Sequence, residues 1–484
     1  MADSRTASMR YLKKFQHVVD IQQKIIYFLL SIIFAFVLTY WINSPDLDQA
    51  QLYVLFLLFL SIGLWVTEAV PPFAVGLLIF GFLVFALGGY YAEIDPENAS
   101  KYVAKYVQTW SNSVIWLMLG GFVMAEAMQK VGLDKTLFKM TISKFGSKPR
   151  NVLLGIMLVT AIFSMIMSNT ATTAMMIAAV IPFINTLDKN APFAKALLIG
   201  IPAAASLGGM GTIIGSPPNA IAVDAMSNHG VQFGFLEWMI IGFPVAVILV
   251  LLFWVFLISK FVPKVSTIDL GFLKDLEEDT PSTSRIFNIK RKIVSGVLLL
   301  TLVLWLTGNV HGIPASAVSL LPIMLLTLLG IVSGNDVRKL PWDTLMLVAG
   351  GLSLGLAIQE TGLAEHYVKL LSNYDLNLYA LMIVFSLLTV ILSNFMSNTA
   401  TTTILIPIAI ILVSSNQVIL PLVIGLSASA ALFLPISTPP NAIAFSTGKL
   451  EQKDFRVGGL FAGIIGPIVI IAMVLIMNAI YTTG

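Results

Sequence analysis

Stretches of about 20 apolar residues, enough helix to cross roughly 30 Å of hydrocarbon, recur between residues 25 and 481. A chain built from such runs folds as an all-α polytopic membrane protein. Composition agrees: hydrophobic residues make up 57% of the sequence and charged residues 11%, far from the balance of a soluble domain. No stretch reads as a separate soluble domain, and the first 20 residues, polar and basic, do not resemble a cleavable signal. The absence of Cys excludes disulfides, thiolate metal sites and Cys nucleophiles, and a total of four His argues against a His-rich metal cluster. With no catalytic His, Asp-pair or Cys arrangement, the sequence does not read as an enzyme.

A basic segment with Arg5, Arg10, Lys13, Lys14 and Lys24 precedes the first span, at 25–42. Further spans are expected at 52–68, 72–90, 113–132, 196–223, 237–259, 293–310, 314–332, 343–361, 419–446 and 457–481, eleven in all. Two other apolar stretches, 151–187 and 379–414, are each long enough for two short helices and read as re-entrant hairpins. Loop charge supports this topology. With the N-terminus cytoplasmic and each hairpin returning to its own side, 25 of the 28 Lys and Arg fall in cytoplasmic segments, as the positive-inside rule requires. Only Lys101, Lys105 and Lys369 lie elsewhere, while Asp46, Asp48, Glu93, Asp95 and Glu97 fall on the exterior side. If either hairpin crossed the membrane, every later loop would flip and the bias would vanish.

The two hairpins carry the same polar motif. Ser168-Asn169-Thr170-Ala171-Thr172-Thr173 returns as Ser397-Asn398-Thr399-Ala400-Thr401-Thr402, 229 residues on. Ser216-Pro217-Pro218-Asn219-Ala220-Ile221-Ala222 is matched by Thr438-Pro439-Pro440-Asn441-Ala442-Ile443-Ala444 at an offset of 222. Gly120-Gly121 and Gly132 align with Gly350-Gly351 and Gly362 at 230, and Leu64-Trp65 through Pro71 resembles Leu304-Trp305 through Pro314. The spans at 113 and 343 run in opposite directions in this topology, so the repeats are inverted. The chain then divides into an N-terminal segment with the first helix (1–51), a first repeat (52–259), a cytoplasmic linker (260–292) and a second repeat (293–484). Inverted repeats with polar, broken segments at matching positions are the signature of secondary transporters.

Each motif acts on the backbone. Pro217-Pro218 and Pro439-Pro440 remove donors and bar the preceding residue from helix, so both spans break there. Gly208, Gly209, Gly211 and Gly215 leave room for unwound backbone, tolerated at membrane depth only where it lines a cavity or is buried in protein. Its carbonyls, with Ser, Asn and Thr side chains, suit a hard cation. The helix that starts at each hairpin tip presents free N–H groups and a partial positive charge to an anion. Two tips entering from opposite faces meet at the midplane in a site without Lys or Arg. An anion bound there needs co-bound cations, and the duplication predicts two cation sites beside one anion with two acidic ends.

At these residues the sequence closely resembles the divalent anion/sodium symporter family, whose members carry succinate, other C4 dicarboxylates, citrate or sulfate. The resemblance spans nearly the whole chain. It implies a first Na⁺ site from Ser164, Ser168, Asn169 and backbone near Gly211 to Gly215, and a second from Ser393, Asn398 and backbone near Ser437. Substrate would meet Ser168, Asn169, Thr170, Ser397, Asn398 and Thr399, beside Pro217 and Pro439. It further implies a homodimer and an elevator motion of a transport domain against a scaffold, with succinate, malate and fumarate as cargo in the cytoplasmic membrane, the C-terminus outside, and room for a third Na⁺. Small residues at the tips, Ala171 and Ala400, favour a compact acid. Some relatives exchange one acid for another without Na⁺, which keeps a dicarboxylate or citrate exchanger as the alternative; a channel or an intramembrane enzyme has less support.

Residues 133–148 and 364–372 read as interfacial helices, the first with Leu133, Leu137, Phe138 and Ile142 opposite Lys135, Lys139 and Lys144. They are expected to act as arms. Blander roles weigh against several polar residues: membrane Ser and Thr often bond to their own helix, paired glycines usually mark close packing, and the counterpart of Glu126 at the repeat offset is Leu356, so symmetry gives it no relay role.

Overall fold

The computed structural model describes residues 2–187, 191–228, 231, 233–261, 285–371, 377–412 and 419–483. All regular structure among them is helical. Among the described residues eight helices are long and apolar enough to cross a membrane, while Pro149–Ser164, Ala315–Leu328, Leu378–Ser393, Asn398–Ile410 and Ile419–Ala430 are apolar but shorter. Three of the expected spans are not among the eight, each for a local reason. The helix Arg285–Leu306 starts with a run of basic residues, the segment after Pro314 is interrupted at Ser319, and the segment after Ile419 unwinds at 428–438.

Each of the two stretches expected to form a hairpin holds two helices, Pro149–Ser164 with Asn169–Thr186 and Leu378–Ser393 with Asn398–Leu412. Both breaks fall where the prolines require them. Pro192–Gly208 gives way to 3-10 turns at Gly209–Gly211 and Ile213–Gly215 before Pro217–Asn228 begins, and Ile419–Ser427 gives way to Ala428–Ala430 before Pro439–Ser446. Other boundaries differ from the sequence reading. The basic segment and the first span are one helix, Ala2–Ile42. The exterior loop expected around 90–105 contains a helix, Ala99–Gln108, whose polar composition hid it from a search for apolar runs. Of the proposed linker, residues 262–284 lie outside the described residues, and the next helix starts at Arg285, before the expected span.

The chain forms two compact units, Met1–Trp110 with Met346–Asn373, and Ser111–Leu345 with Tyr374–Gly484. Each contains residues of both proposed repeats. In the first unit, helices cross at glycines: a Cβ on Gly350 would stand 2.6 Å from Gly76 O, the close approach that small residues permit between membrane helices. Thr109 Oγ1 donates to Ala349 O at 3.1 Å, and Lys105 pairs with Glu360. The second unit repeats the scheme. A Cβ on Gly120 would stand 2.6 Å from Ser319 Cβ, and Lys130 pairs with Asp336. That amine, with Ser333 Oγ–H and N–H donating as well, holds the Asp336 carboxyl well below the usual carboxylate range. The paired glycines are therefore packing positions.

Local geometry also repeats. Trp65 Nε1 donates to Pro72 O at 3.1 Å and Trp305 Nε1 to Ala315 O at 2.9 Å, each indole closing the turn after the preceding span. Gly132 and Gly362 have φ of 60° and 71°, left-handed values that side chains resist. They turn the chain into the arm helices Leu133–Ile142 and Leu363–Leu371. The first arm buries Leu133, Phe138 and Ile142 as its pattern predicts, and with them Asp134, 4% exposed. Burial pushes this carboxyl up to about 6. A carboxyl whose folded pKa is raised favours the fold fully below its unfolded value near 3.9, and that contribution is lost as pH rises through about 6. Asp134→Asn is therefore expected to raise the melting midpoint at pH 8, by up to about 3 kcal/mol of stability, and to leave it unchanged at pH 4. Equal shifts at both pH values would refute this.

Candidate functional site

The helix Asn169–Thr186 begins directly after the tip, with Ser168 as its N-cap: Ser168 Oγ accepts from Ala171 N at 3.2 Å. Ser397 does the same for Ala400 N at 3.1 Å. Both serines thus satisfy one of the orphan N–H groups of the helix they start. Each keeps its own O–H to donate.

In the first half the tip meets the unwound segment as a cluster of oxygens. The Asn169 side-chain amide lies 2.5 Å from Ser164 Oγ, 3.1 Å from Gly215 O and 3.2 Å from Ala205 O. Heavy-atom positions do not distinguish amide O from N, and the two orientations differ chemically. With nitrogen inward the amide donates to these oxygens; with oxygen inward it completes an all-oxygen set of the kind a hard cation takes. Gly209 and Gly215 must lack side chains for this approach, since a Cβ on Gly209 would stand 2.6 Å from Asn169 Oδ1, and one on Gly215 would stand 2.6 Å from Gly209 O. Of the residues expected at this site, the structure brings together Ser164, Asn169 and Gly215. The α-carbon of Gly211 lies against Met165, whose Cε would stand 2.6 Å from a Cβ there. Ala205 and Gly209 were not expected. Ala205 takes part through its carbonyl, which leaves no residue-type signal, and Gly209 through the space that its missing side chain leaves against Asn169.

The second half presents its oxygens differently. Ser393 Oγ and Asn398 Oδ1 are both buried without a hydrogen-bond partner. Burying such groups unpaired costs on the order of 1–3 kcal/mol each; Thr401 Oγ1 and Thr403 Oγ1 in the helix that follows are buried and unpartnered as well, and oxygens of this kind are the donors that a hard cation takes. Ser437 Oγ donates to Leu434 O at 2.7 Å. Thr399 is buried, whereas Thr170, its counterpart, is exposed; Pro217 is half-buried and Pro439 exposed.

Tip and break are tied together in each half by residues that the motifs did not mark. Thr212 Oγ1 donates to Met165 O and accepts from Gly215 N at 3.0 Å. Asn394, which stands at the position of Met165, accepts from Phe433 N at 2.8 Å and donates to Val390 O at 2.7 Å. The halves are also crossed. The tip helix Asn169–Thr186 packs on Pro439–Ser446, the helix after the second break, and Asn398–Leu412 packs on Pro217–Asn228, the helix after the first. No Lys, Arg, His, Asp or Glu occurs at 160–175, 205–222, 390–405 or 430–445. The charge available to an anion comes from helix ends and from any bound cation.

Residues 22–482 match the family described as the sodium:sulfate symporter transmembrane region. The sodium-dependent dicarboxylate transporter SdcS of Staphylococcus saprophyticus is 31% identical over 475 residues, covering 91% of this chain and 88% of that protein. SdcS of Staphylococcus aureus strain USA300 is 29% identical over 486 residues, with 92% and 88% covered. Among solved structures, the Alcanivorax borkumensis YdaH transporter aligns with a TM-score of 0.53 at 13% identity over 85% of this chain and 99% of that one. MtrF of Neisseria gonorrhoeae aligns with a TM-score of 0.55 at 12% identity over 83% and 94%. These two share the fold alone. The match across nearly the whole chain shows that this protein belongs to the sodium:sulfate symporter family, and is a multi-pass membrane transporter rather than an enzyme.

Proposed function

We propose that the protein couples Na⁺ to the uptake of C4 dicarboxylates such as succinate, malate and fumarate across the cytoplasmic membrane. The observation that carries this reading is the duplicated, charge-free oxygen site, above all the unpartnered Ser393 Oγ and Asn398 Oδ1 beside a helix N-terminus. The SdcS relatives are named sodium-dependent dicarboxylate transporters, which supports Na⁺ and a dicarboxylate cargo. One Na⁺ is assigned to Ser164, Ser168, Asn169 and the Gly211–Gly215 backbone, with Gly215 the best supported of the carbonyls. A second is assigned to Ser393, Asn398 and Ser437. The substrate carboxylates are assigned to Ser168, Asn169, Thr170, Ser397, Asn398 and Thr399, flanked by Pro217 and Pro439, where capping serines still have an O–H to donate. Bound Na⁺ lowers the cost of bringing a dianion into low dielectric, which is the physical basis of coupling.

The same proposal includes eleven spans, two inverted repeats with hairpins from opposite faces, a cytoplasmic N-terminus, an exterior C-terminus, a homodimer and an elevator motion borne by the arm helices. The matched Trp65 and Trp305 bonds and the crossed packing of tip and break helices support the inverted halves. In proteoliposomes, uptake of labelled succinate is expected to require an inward Na⁺ gradient and to rise sigmoidally with Na⁺. Equal uptake in choline after preloading with succinate would replace symport by exchange, and a panel with citrate and sulfate tests the preference for C4 acids.

A further inference from the structure

We infer that Asn219 and Asn441, the asparagines of the two Pro-Pro-Asn motifs, are the positioning residues of the two cation sites. This rests on the Na⁺-coupled reading above and gives the motif a task besides breaking the helix.

Both side chains are buried, 0% and 1% exposed. Asn219 Nδ2 donates to Gly209 O and to Thr212 O, each at 2.8 Å. Asn441 Nδ2 donates to Leu434 O at 3.0 Å and to Leu432 O at 3.2 Å, and lies 3.4 Å from Ser437 Oγ. The same atom in both halves thus holds two carbonyls of the unwound segment. The spacing explains why. The two prolines occupy the first helical positions, where their missing N–H costs nothing, and the third residue's Cβ points back toward the helix N-terminus, over the loop just left behind. Carbonyl oxygens gathered at a cation site repel one another. One NH₂ group with both hydrogens on carbonyls of the loop fixes their separation before an ion arrives.

The first half shows what is being held. Gly209 O, one of the two acceptors, is the oxygen that a Cβ on Gly215 would meet at 2.6 Å, with Ser164 O at 2.9 Å. Asn219 therefore acts on the backbone that faces Asn169, and acts through it. Aspartate has no N–H to offer, alanine offers nothing, and serine supplies one donor from a shorter stem. Residues that orient metal ligands typically change metal affinity by 10–100-fold when removed.

The test is the Na⁺ activation curve of succinate uptake in proteoliposomes for the full-length protein and for Asn219→Ala, Asn219→Asp and Asn441→Ala. Each variant is expected to raise half-saturation for Na⁺ by about 10-fold or more and to flatten the sigmoid. Succinate KM at saturating Na⁺ should stay within about twofold, and Asp should behave as Ala. A variant with the wild-type Na⁺ curve and only a lower maximal rate, or with only a raised succinate KM, would overturn the assignment. Where the Ala variant fails to fold, Asn→Ser at the same position is expected to give an intermediate Na⁺ shift, and an unshifted curve there would overturn it equally. A wild-type protein indifferent to Na⁺ overturns the proposed function as well, a result distinct from a Na⁺-dependent wild type whose variants keep its curve.

Discussion

Asn398→Ala is expected to reduce Na⁺-driven succinate uptake by about a hundredfold or more while leaving the folded protein intact, and Asn169→Ala to do the same from the other half. The side chains differ in their surroundings. Asn398 Oδ1 is buried without a partner, so its removal takes away an oxygen that nothing else in the fold uses. Asn169 sits within 3.2 Å of Ser164 Oγ, Gly215 O and Ala205 O, so its removal also leaves those oxygens facing one another. In either case a cation in low dielectric loses an oxygen ligand, a cost of several kcal/mol, and each 1.4 kcal/mol is about tenfold in affinity. The measurement is initial uptake into proteoliposomes beside the melting midpoint of the same preparation. Near wild-type rates in either variant would remove that residue from the site, and a lost melting transition would show a structural role instead.

The second large effect is on folding. Gly459→Ala is expected to destabilise the protein by about 3 kcal/mol or more, and Gly208→Ala by a similar amount. A Cβ on Gly459 would stand 2.5 Å from Phe433 N and 2.6 Å from Leu432 C; one on Gly208 would stand 2.7 Å from Ala161 O. These neighbours are backbone, which does not rotate aside, and they belong to the second unwound segment and to the first hairpin helix. Gly296 is the control. A Cβ there meets nothing within 4 Å, so Gly296→Ala should be neutral or stabilise by up to about 1 kcal/mol through helix propensity. Melting midpoints in detergent and the monodisperse yield read all three. A Gly459→Ala protein that melts with the wild type would mean the two segments are farther apart than described.

Much of the fold was legible because the decisive signals are local. Pro217-Pro218 and Pro439-Pro440 keep the residue before them extended and start the next helix, Ser168 and Ser397 are good N-caps in any context, and the breaks and tips appear within a residue or two of their expected places. Elements whose signal is amphipathic were harder to see. The helix Ala99–Gln108 was read as an exterior loop, and Lys105, an exception to the charge rule, is held in its unit by Glu360. Asp134 was assigned no place in the apolar face of its arm, because the period fixes the face while burial is fixed by neighbours from other helices.

By itself, then, the sequence determined that the chain is helical and membrane-spanning, where its spans break, and that its polar residues come as matched pairs, since these follow from solvent, backbone chemistry and duplication. Only the tertiary structure decided which oxygens meet. It brought Ala205 O, Gly215 O and the α-carbon of Gly209 to Asn169, left Ser393 Oγ and Asn398 Oδ1 without hydrogen-bond partners, and set each tip helix against the other half's broken helix. The reason is physical: a carbonyl's position depends on the packing of segments far apart in the sequence, and no residue type records it.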